Sequence, residues 1–296
     1  MKSTLRIATF NAENFYLLLD KEYSLAEFEG LSDEAYMAMN FSIYNPNKDR
    51  SKIEAIAKTI LEEDFDFVAL CEVGGMETLA NFNRLYLVDR YDCYLHEENS
   101  SRGIFVGALV KKDRFDRVSA RNVRGAFSRN LLRVSLRSGT TDLRFFVVHL
   151  KSQHGQDMGI EQRMAEVRQL CAIVDRRNCV VLGDFNGIAI RGLHQFEYDP
   201  FLELPFRDVL EAMDVAERAR FTHFYFKGGL NFSQLDYIFC SDDLAVLDGG
   251  MICDLVPVNH EQRRRLPSDH IFLKATIRPR AATAILAEQE SIPVWS

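Results

Sequence analysis

The chain has 296 residues, of which 47% are hydrophobic and 27% are charged, a balance typical of a soluble globular protein with a large core. Its 36 basic and 43 acidic residues give a formal net charge of −7, which argues against a protein that coats or packages nucleic acid by charge neutralisation alone. No apolar run approaches the roughly 20 residues that a membrane-spanning helix needs, so no membrane span is predicted.

The cysteines contain no C-x-x-C pair and mostly lie in or beside apolar runs. We therefore expect buried thiols rather than disulfides or zinc ligands. The N-terminal segment is too short and too polar for a signal sequence. Together these features predict a cytoplasmic protein; we expect a monomer, and no particular protein partner is indicated.

Short apolar runs rich in β-branched and aromatic residues alternate with helical patterns. In chain order the predicted elements are the strand Leu5–Phe10, the helix Ser51–Glu63, the strand Phe67–Cys71, a helix at about Met76–Val88, the strands Ile104–Val110, Leu131–Leu136 and Leu143–His149, a helix at about Ile160–Asp175, and the strands Cys179–Leu182, Leu235–Phe239 and Ile271–Ile277. The lengths favour strands over buried helices for the apolar runs.

Two segments lie outside this alternation. Residues Leu17–Arg50 separate the first strand from the first helix, and their composition predicts one or two short helices, as scaffold rather than as a substrate lid. Residues 279–296 carry no strand pattern, although Ala281–Glu290 is a candidate short helix. Because no Pro/Gly/Ser-rich linker divides the chain, we predict one domain over residues 1–278, with an inserted helical segment near 17–50 and a tail at 279–296.

Polar residues with chemical potential fall where the predicted strands begin or end. In chain order they are Asn11 and Glu13, Glu72, His149, Asp184 and Asn186 at strand ends, and Asp236, Asp269 and His270 at strand starts. The start of an antiparallel strand lies beside the end of its neighbour. All of these groups are therefore predicted to converge on one rim, where ligands of sheet proteins commonly bind.

The motifs F-N-A-E-N, A-L-C-E-V, V-V-H-L-K-S, G-D-F-N, L-D-Y and S-D-H follow one another between Thr9 and about Ala275. In this order they resemble the endonuclease/exonuclease/phosphatase superfamily, which includes deoxyribonucleases, abasic-site endonucleases, inositol-polyphosphate phosphatases and sphingomyelinases. H-L-K-S, preceded by S-R-G-I at Ser101–Ile104, is most similar to a bacterial nuclease-like branch. The resemblance implies an α/β fold (α+β), a four-layer sandwich in which two mixed, mainly antiparallel β-sheets pack face to face with helices outside.

The resemblance also implies a divalent cation, Mg²⁺ or Mn²⁺. Asn11 and Glu72 offer hard oxygen donors, which suit Mg²⁺ because it takes few protein ligands and keeps several waters. Glu13 and Asp269 match acidic positions that the family places around the metal. Either of these two is expected to hold a second ion or a water of the first.

Asp184 is predicted to orient the attacking water as general base, with Asn186 donating to a phosphate oxygen. His270 is the best candidate to protonate or stabilise the transition state, and Asp236 is predicted to fix its tautomer. His149 resembles a second phosphate-contacting histidine of the deoxyribonuclease branch. Which histidine acts as the acid stays open at this point.

Arg102 and Lys151 are further candidates for phosphate contact, and each is equally well explained as a surface cation. The basic run Arg263–Arg265 is a candidate for contact with the substrate backbone, but a solvated loop is the favoured interpretation. His154, His194 and His223 are predicted to be structural or solvent-facing.

The leading functional hypothesis is metal-dependent hydrolysis of phosphodiester bonds, by an endonuclease or exonuclease acting on DNA. An alternative is a phosphatase or phosphodiesterase acting on a small phosphorylated molecule or lipid headgroup, because the loops that set specificity differ within one fold. The third is a catalytically silent binding scaffold. Retention of the whole set of acidic and histidine residues argues against the scaffold.

Overall fold

The computed structural model describes residues 4–40, 42–153, 157–226 and 229–280. Its strands are β1 (Leu5–Phe15), β2 (Phe67–Val73), β3 (Tyr91–Leu95), β4 (Phe105–Lys111), β5 (Arg117–Val123), β6 (Leu131–Ser138), β7 (Thr141–His149), β8 (Cys179–Asp184), β9 (Phe206–Asp208), β10 (His223–Tyr225), β11 (Asn231–Ser233), β12 (Asp236–Ser241), β13 (Leu244–Ile252) and β14 (Phe272–Pro279). Its α-helices are α1 (Leu25–Glu29), α2 (Asp33–Ala38), α3 (Arg50–Glu63), α4 (Met76–Tyr86), α5 (Ile160–Ile173), α6 (Asp199–Leu202), α7 (Val209–Ala212) and α8 (His260–Arg265). Every strand and long helix predicted from the sequence is present.

Most of the strands form two six-stranded sheets, with orders β13-β14-β1-β2-β4-β3 and β5-β6-β7-β8-β12-β9, while β10 and β11 form a separate hairpin. In each large sheet the two central strands are parallel, β1 with β2 and β7 with β8. The other neighbours within both large sheets are antiparallel. This is the mixed, mainly antiparallel architecture expected from the motifs, and the prediction of fold class is confirmed.

Three hydrophobic cores separate the four layers of this sandwich. Side chains alternate between the two faces of a strand, so Ile7 packs between the sheets whereas Phe10 packs under the helices α1–α4. In the second sheet, Leu182 faces the inter-sheet core and Val181 faces α5. Each such buried apolar side chain contributes roughly 1.5–3 kcal/mol, so these cores hold the strand ends in fixed positions.

The strands of the two large sheets that the sequence did not predict all lie at sheet edges. They are β3, β5, β9 and β13. An edge strand has a partner on one side only, and polar residues there discourage further pairing. The sequence of β5, RVSARNV, has no fully buried residue, so it carries no apolar run to recognise.

The segment between β1 and α3 forms two short helices, α1 and α2, as predicted. Phe28 and Tyr36 anchor it in the first core, and the Tyr36 hydroxyl donates to the carbonyl of Lys48 at 2.8 Å. We call residues 17–49 the insertion. The predicted helix at Ala281–Glu290 lies outside the described residues, and the domain boundary at 278 stays a prediction.

The six cysteines, Cys71, Cys93, Cys171, Cys179, Cys240 and Cys253, are free thiols; the prediction of burial holds for Cys71, Cys179 and Cys240, whereas the other three are partly exposed. In the part of the chain that the structure describes, no helix combines the length and the apolarity needed to cross a bilayer.

Candidate active site

Three of the predicted site residues form one row across the second sheet. His149 is the register partner of Asp184 in the parallel pair β7–β8, and Asp184 is the partner of Asp236 in the antiparallel pair β8–β12. All three side chains are buried, with 5%, 1% and 0% of their residue surfaces exposed. The row exists because the two parallel strands end where the antiparallel strand begins.

Asn11 connects this row to the other sheet. It lies near the end of the central strand pair β1–β2, and its Nδ2 atom donates to Asp184 Oδ2 at 2.9 Å. The backbone carbonyl of Asn11 accepts a hydrogen bond from Ser268 Oγ at 2.7 Å, which brings in the S-D-H motif. The ends of the two parallel pairs therefore meet at one place.

Glu72 lies beside the same place. Its neighbour Cys71 is buried in the inter-sheet core, as predicted, while the backbone of Glu72 turns to φ 62°. Its Oε2 atom accepts from the Asn14 backbone N–H at 2.9 Å, and its Oε1 atom lies 3.9 Å from His149 Nε2. One carboxylate oxygen of Glu72 thus points toward the row of His149 and Asp184.

His270 is the charged histidine of the site. Its Nδ1 atom lies 2.6 Å from Asp236 Oδ2, and its Nε2 atom lies 4.0 Å from Asp184 Oδ2. Burial alone would lower the pKa of His270, but the negative charges of Asp236, Asp184 and Asp269 outweigh it and raise the pKa to about 10. His270 is therefore an imidazolium at neutral pH.

For His149 and Asp184, burial has the largest effect on the pKa and is not outweighed by neighbouring charges. Burial lowers the pKa of His149 well below its ordinary range, so its imidazole is neutral. Burial raises the pKa of Asp184 to about 7; the charge of His270 opposes this rise, and that of Asp236 adds to it. The site thus combines a neutral histidine, a charged histidine and a carboxyl group whose pKa lies near neutrality.

The guanidinium of Arg263 lies between the carboxylates of Glu13 and Asp269, the other two predicted metal ligands. Arg263 Nη2 lies 2.6 Å from Glu13 Oε1 and 2.9 Å from Asp269 Oδ2. The Asp269 backbone N–H also donates to Glu13 Oε2 at 3.2 Å. Arg263 thus ties α8 to the site, whereas the sequence interpretation of 263–265 as a solvated loop is wrong for this residue.

Asn186 supports Asp184 directly. The Asn186 backbone N–H donates to Asp184 Oδ1 at 2.8 Å, and its Nδ2 atom donates to Asp184 Oδ2 at 3.2 Å and to the Leu150 carbonyl at 2.9 Å. Its backbone has φ 54°, a conformation that asparagine adopts more readily than most residues. A phosphate contact by Asn186 stays a prediction.

The two weaker candidates differ in position. Arg102 donates to Asn14 Oδ1 at 3.0 Å and so lies next to the Glu72 side of the site. The backbone N–H of Lys151 donates to Glu166 Oε2 at 2.7 Å, while no hydrogen bond among the described residues joins its side chain to the site. A phosphate contact by Lys151 stays a prediction.

Sequence reasoning missed His223. It forms a β-bridge with His270, their ring centroids lie 4.7 Å apart, and its Nε2 atom lies 3.8 Å from Asp269 Oδ2. Burial, together with the charge of His270, lowers the pKa of His223 to about 4, so its imidazole is neutral. A lone histidine in F-T-H-F-Y carries no signal of this proximity. His154 lies outside the described residues.

Thr222 was also missed, although it holds the start of β12 in place. Its hydroxyl oxygen accepts from the backbone N–H groups of Leu235 and Asp236, at 3.0 and 2.9 Å. The Ile271 N–H donates to its carbonyl at 2.8 Å, which links the same residue to the start of β14. Thr222 therefore fixes Asp236 relative to His270.

Asp184, Asp236 and His270 also offer potential ligand atoms that all lie within 4.8 Å of one another. The trio is thus either a cation site or an acid–base relay. The 2.6 Å contact between His270 Nδ1 and Asp236 Oδ2 favours the relay, because that nitrogen is already engaged by a carboxylate.

Two face-to-face mixed sheets, with a buried acid–histidine cluster at the ends of their central strands, define an α/β sandwich of the deoxyribonuclease type. The chain belongs to the Endonuclease/Exonuclease/phosphatase family, whose sequence pattern it matches over residues 8–270. Members of this family are hydrolases that act on phosphoester bonds. The family membership predicted from the motifs is confirmed.

Several solved structures share the fold over nearly the whole chain. TDP2 of D. rerio in complex with single-strand DNA product is 17% identical, with a TM-score of 0.63 over 94% of this chain and 100% of that chain. An endonuclease/exonuclease/phosphatase protein of Beutenbergia cavernae is 18% identical, with a TM-score of 0.62 over 95% of this chain and 73% of that one. The human Nocturnin catalytic domain with bound sulfate is 18% identical, with a TM-score of 0.59 and 94% coverage of both chains. Comparison with curated protein sequences gave no significant match.

Proposed function

We propose that this protein hydrolyses phosphodiester bonds of DNA, as an endonuclease or exonuclease that depends on Mg²⁺ or Mn²⁺. The observation that carries the proposal is Asp184, held by Asn11 and Asn186, opposite a charged His270 that is paired with Asp236. A base and a cation that lie side by side, 4.0 Å apart, are the groups that an in-line attack of water on a phosphate needs. The D. rerio relative crystallised with a single-strand DNA product supports DNA as the substrate.

The charges of the site fit a divalent cation. Five carboxylates, of Glu13, Glu72, Asp184, Asp236 and Asp269, belong to one connected cluster, which contains two cationic groups, His270 and Arg263. Asp184 and Asp236 are buried and the other three are partly buried, and such an excess of negative charge is unfavourable unless a cation balances it. The hard oxygen donors that Mg²⁺ prefers are provided by Asn11 Oδ1, which also accepts from the Glu13 N–H at 3.0 Å, and by Glu72 Oε1, which lies 3.9 Å from His149 Nε2.

The residues of the chain then divide the chemistry between them. Asp184, in its ionised form, removes a proton from the attacking water. Asn186 keeps the carboxylate of Asp184 oriented. His270, charged and oriented by Asp236, donates to the phosphate group opposite. Neutral His149, 3.4 Å from Asp184, supplies a hydrogen bond to a phosphate oxygen. When bound, the divalent cation neutralises charge on the phosphate.

The proposal is tested with a panel of substrates in the presence and absence of Mg²⁺ or Mn²⁺. The panel contains supercoiled plasmid, end-labelled single-stranded and duplex oligonucleotides, a chromogenic phosphodiester and inositol phosphates. Metal-dependent cleavage of the DNA substrates is the expected result. Turnover of the inositol phosphates with intact DNA would instead establish a small-molecule phosphatase, and no turnover with any metal would leave a binding scaffold.

Replacing Glu72 by glutamine is expected to weaken Mn²⁺ binding by about tenfold or more, because one of the negative charges that balance the ion is removed. Isothermal titration calorimetry and electron paramagnetic resonance of free Mn²⁺ measure the change. Glu77→Gln, the same substitution at an exposed position of α4, is the control and should leave binding unchanged. Equal Mn²⁺ affinity of Glu72→Gln and the unaltered protein would exclude Glu72 as a ligand.

Replacing Arg263 by glutamine is expected to increase the number of Mn²⁺ ions bound from one to two. The guanidinium neutralises Glu13 and Asp269 in the resting protein, and its loss leaves both carboxylates open to a second ion. Counting bound Mn²⁺ by paramagnetic resonance tests this directly. Arg264→Gln, at an exposed position of the same helix, is the matched control. An unchanged count for Arg263→Gln would show that Arg263 does not exclude a second ion.

A further inference from the structure

A cavity of about 640 Å³ lies between the insertion and the end of β1. We call it the insertion cavity, and it is lined by Glu13, Asn14, residues 44–49, Lys52, Ser101 and Arg102. Arg102 donates to Asn14 Oδ1, and the backbone N–H of Asn14 donates to Glu72 Oε2. The cavity therefore adjoins the candidate active site on its Glu72 side.

Three cations line the insertion cavity, namely Lys48, Lys52 and Arg102. Among the described residues, none of the three has a carboxylate oxygen within the 4.0 Å of an ion pair. Arg263, on the other side of Glu13, is by contrast paired with two carboxylates. The cavity thus carries three cations that form no ion pair within the described residues, in a chain whose net charge is −7.

Lys48 is the most informative of the three cations because it is buried, with only 8% of its surface exposed. Its Nζ atom donates to the backbone carbonyl of Glu13 at 2.9 Å, and although the charges of Glu13, Asp269 and Asp49 favour its protonated form, no carboxylate among the described residues lies at ion-pair distance from it. A buried charge without a counter-ion is costly. The two acidic residues of the lining offer little balance, since Glu13 is paired with Arg263 and Asp49 is exposed to solvent. The chemistry of the cavity is therefore that of an anion site.

The lining of the cavity also includes an aromatic ring, that of Tyr44. Of the surface of this residue, 87% is exposed. The neighbouring Ile43 is exposed to 84%. Proteins that bind single-stranded nucleic acid combine a cationic groove for the backbone with exposed aromatic rings on which bases stack.

We propose that the insertion cavity binds the phosphate next to the scissile phosphate of a single-stranded polynucleotide, while Tyr44 stacks on an adjoining base. The inference rests on the proposed function and narrows its substrate class to strands with unpaired bases. It also gives the insertion, which the sequence predicted to be scaffold, a direct part in substrate binding.

The test measures binding separately from cleavage. Fluorescein-labelled decathymidylate is titrated with full-length Asp184→Asn in Mg²⁺, and a gel verifies that the oligonucleotide stays intact. Adding Lys52→Gln is expected to weaken binding by about tenfold and to reduce the salt slope of the affinity by about 0.7, the value for one lost phosphate contact with a single strand. Adding Lys58→Gln instead, on the exposed face of the same helix, removes the same charge and is expected to change neither quantity.

Tyr44 provides an independent measurement. Tyr44→Ala is expected to weaken decathymidylate binding by about tenfold, with Tyr44→Phe close to the unaltered residue, because stacking needs the ring and not the hydroxyl. Binding of a blunt duplex is expected to change little, because its bases are already stacked.

Failure of the cavity inference and failure of the proposed hydrolysis give different results. Equal binding by Lys52→Gln and Lys58→Gln would overturn the inference, even if the protein with Asp184 intact cleaves DNA. Binding that depends on Lys52 and Tyr44, with no cleavage by that protein, would overturn the proposed hydrolysis while supporting the subsite.

Discussion

Replacing His270 by glutamine is expected to lower kcat for DNA cleavage by about 10²–10⁴-fold, the usual effect of removing a group that acts on a proton or charge in the transition state. Glutamine keeps a hydrogen-bond donor near this position but carries no positive charge. The charge is present at neutral pH because Asp236, 2.6 Å away, outweighs the effect of burial. Single-turnover cleavage of a labelled oligonucleotide measures the loss.

The pH dependence of cleavage provides a second measurement on His270. The proposed mechanism requires Asp184 ionised and His270 protonated, so the rate should rise as pH passes about 7 and fall as it passes about 10. Asp236→Asn removes the charge that raises the pKa of His270, so the alkaline limb should move to lower pH. Near-normal turnover of His270→Gln, or an alkaline limb that Asp236→Asn does not move, would assign the role of the charged group elsewhere and leave His149 as the next candidate.

Replacing Asp184 by asparagine is expected to lower kcat by about 10²–10⁴-fold as well, because the amide cannot accept a proton from water. The free energy of unfolding, by contrast, should change little. Burial raises the pKa of Asp184, which means that its charge is unfavourable in the folded protein, and asparagine removes this charge. Asn11 and Asn186 both donate to Asp184 Oδ2, and an amide has one acceptor oxygen only, so a lost hydrogen bond opposes this gain and thermal unfolding at neutral pH is expected to show a similar Tm.

Asp208→Asn is a suitable control for this substitution. Asp208 is also a buried carboxyl of the second sheet, and burial raises its pKa to about 6. It accepts from Gln234 Nε2 at 3.0 Å, and within the described residues it forms no hydrogen bond or ion pair with Asp184 or His270. Asp208→Asn should thus keep its activity. Full activity of Asp184→Asn, or equal losses in the two variants, would contradict the role of Asp184 as general base.

The positions of the main site residues were predictable because apolar strands have recognisable ends. In Val180–Leu182 followed by Gly183 and Asp184, the change from apolar to polar marks where the strand leaves the core. His149 and Asp236 were located in the same way, and the register of β7, β8 and β12 brings the three together. Strand ends identify such residues because burial demands apolar side chains up to the rim.

The residues that were not predicted lie in segments where burial does not require apolar side chains. Arg263 and Lys48 come from polar segments, and only the folding of α8 and the insertion against β1 brings them to Glu13. His223 belongs to a short strand outside the two large sheets. A charged residue in a loop has the same sequence signature whether it meets solvent or a carboxylate.

By itself, the amino-acid sequence determined the fold class, the central strands, the family and the set of acidic and histidine residues at strand ends, since each of these follows from local alternation of apolar and polar residues or from short motifs. Only the tertiary structure decided the edge strands, the ionisation of His270 and of His149, the pairing of Arg263 with Glu13 and Asp269, and the three cations of the insertion cavity. Ionisation and ion pairing depend on burial and on distances between residues far apart in the chain, and these exist only after folding.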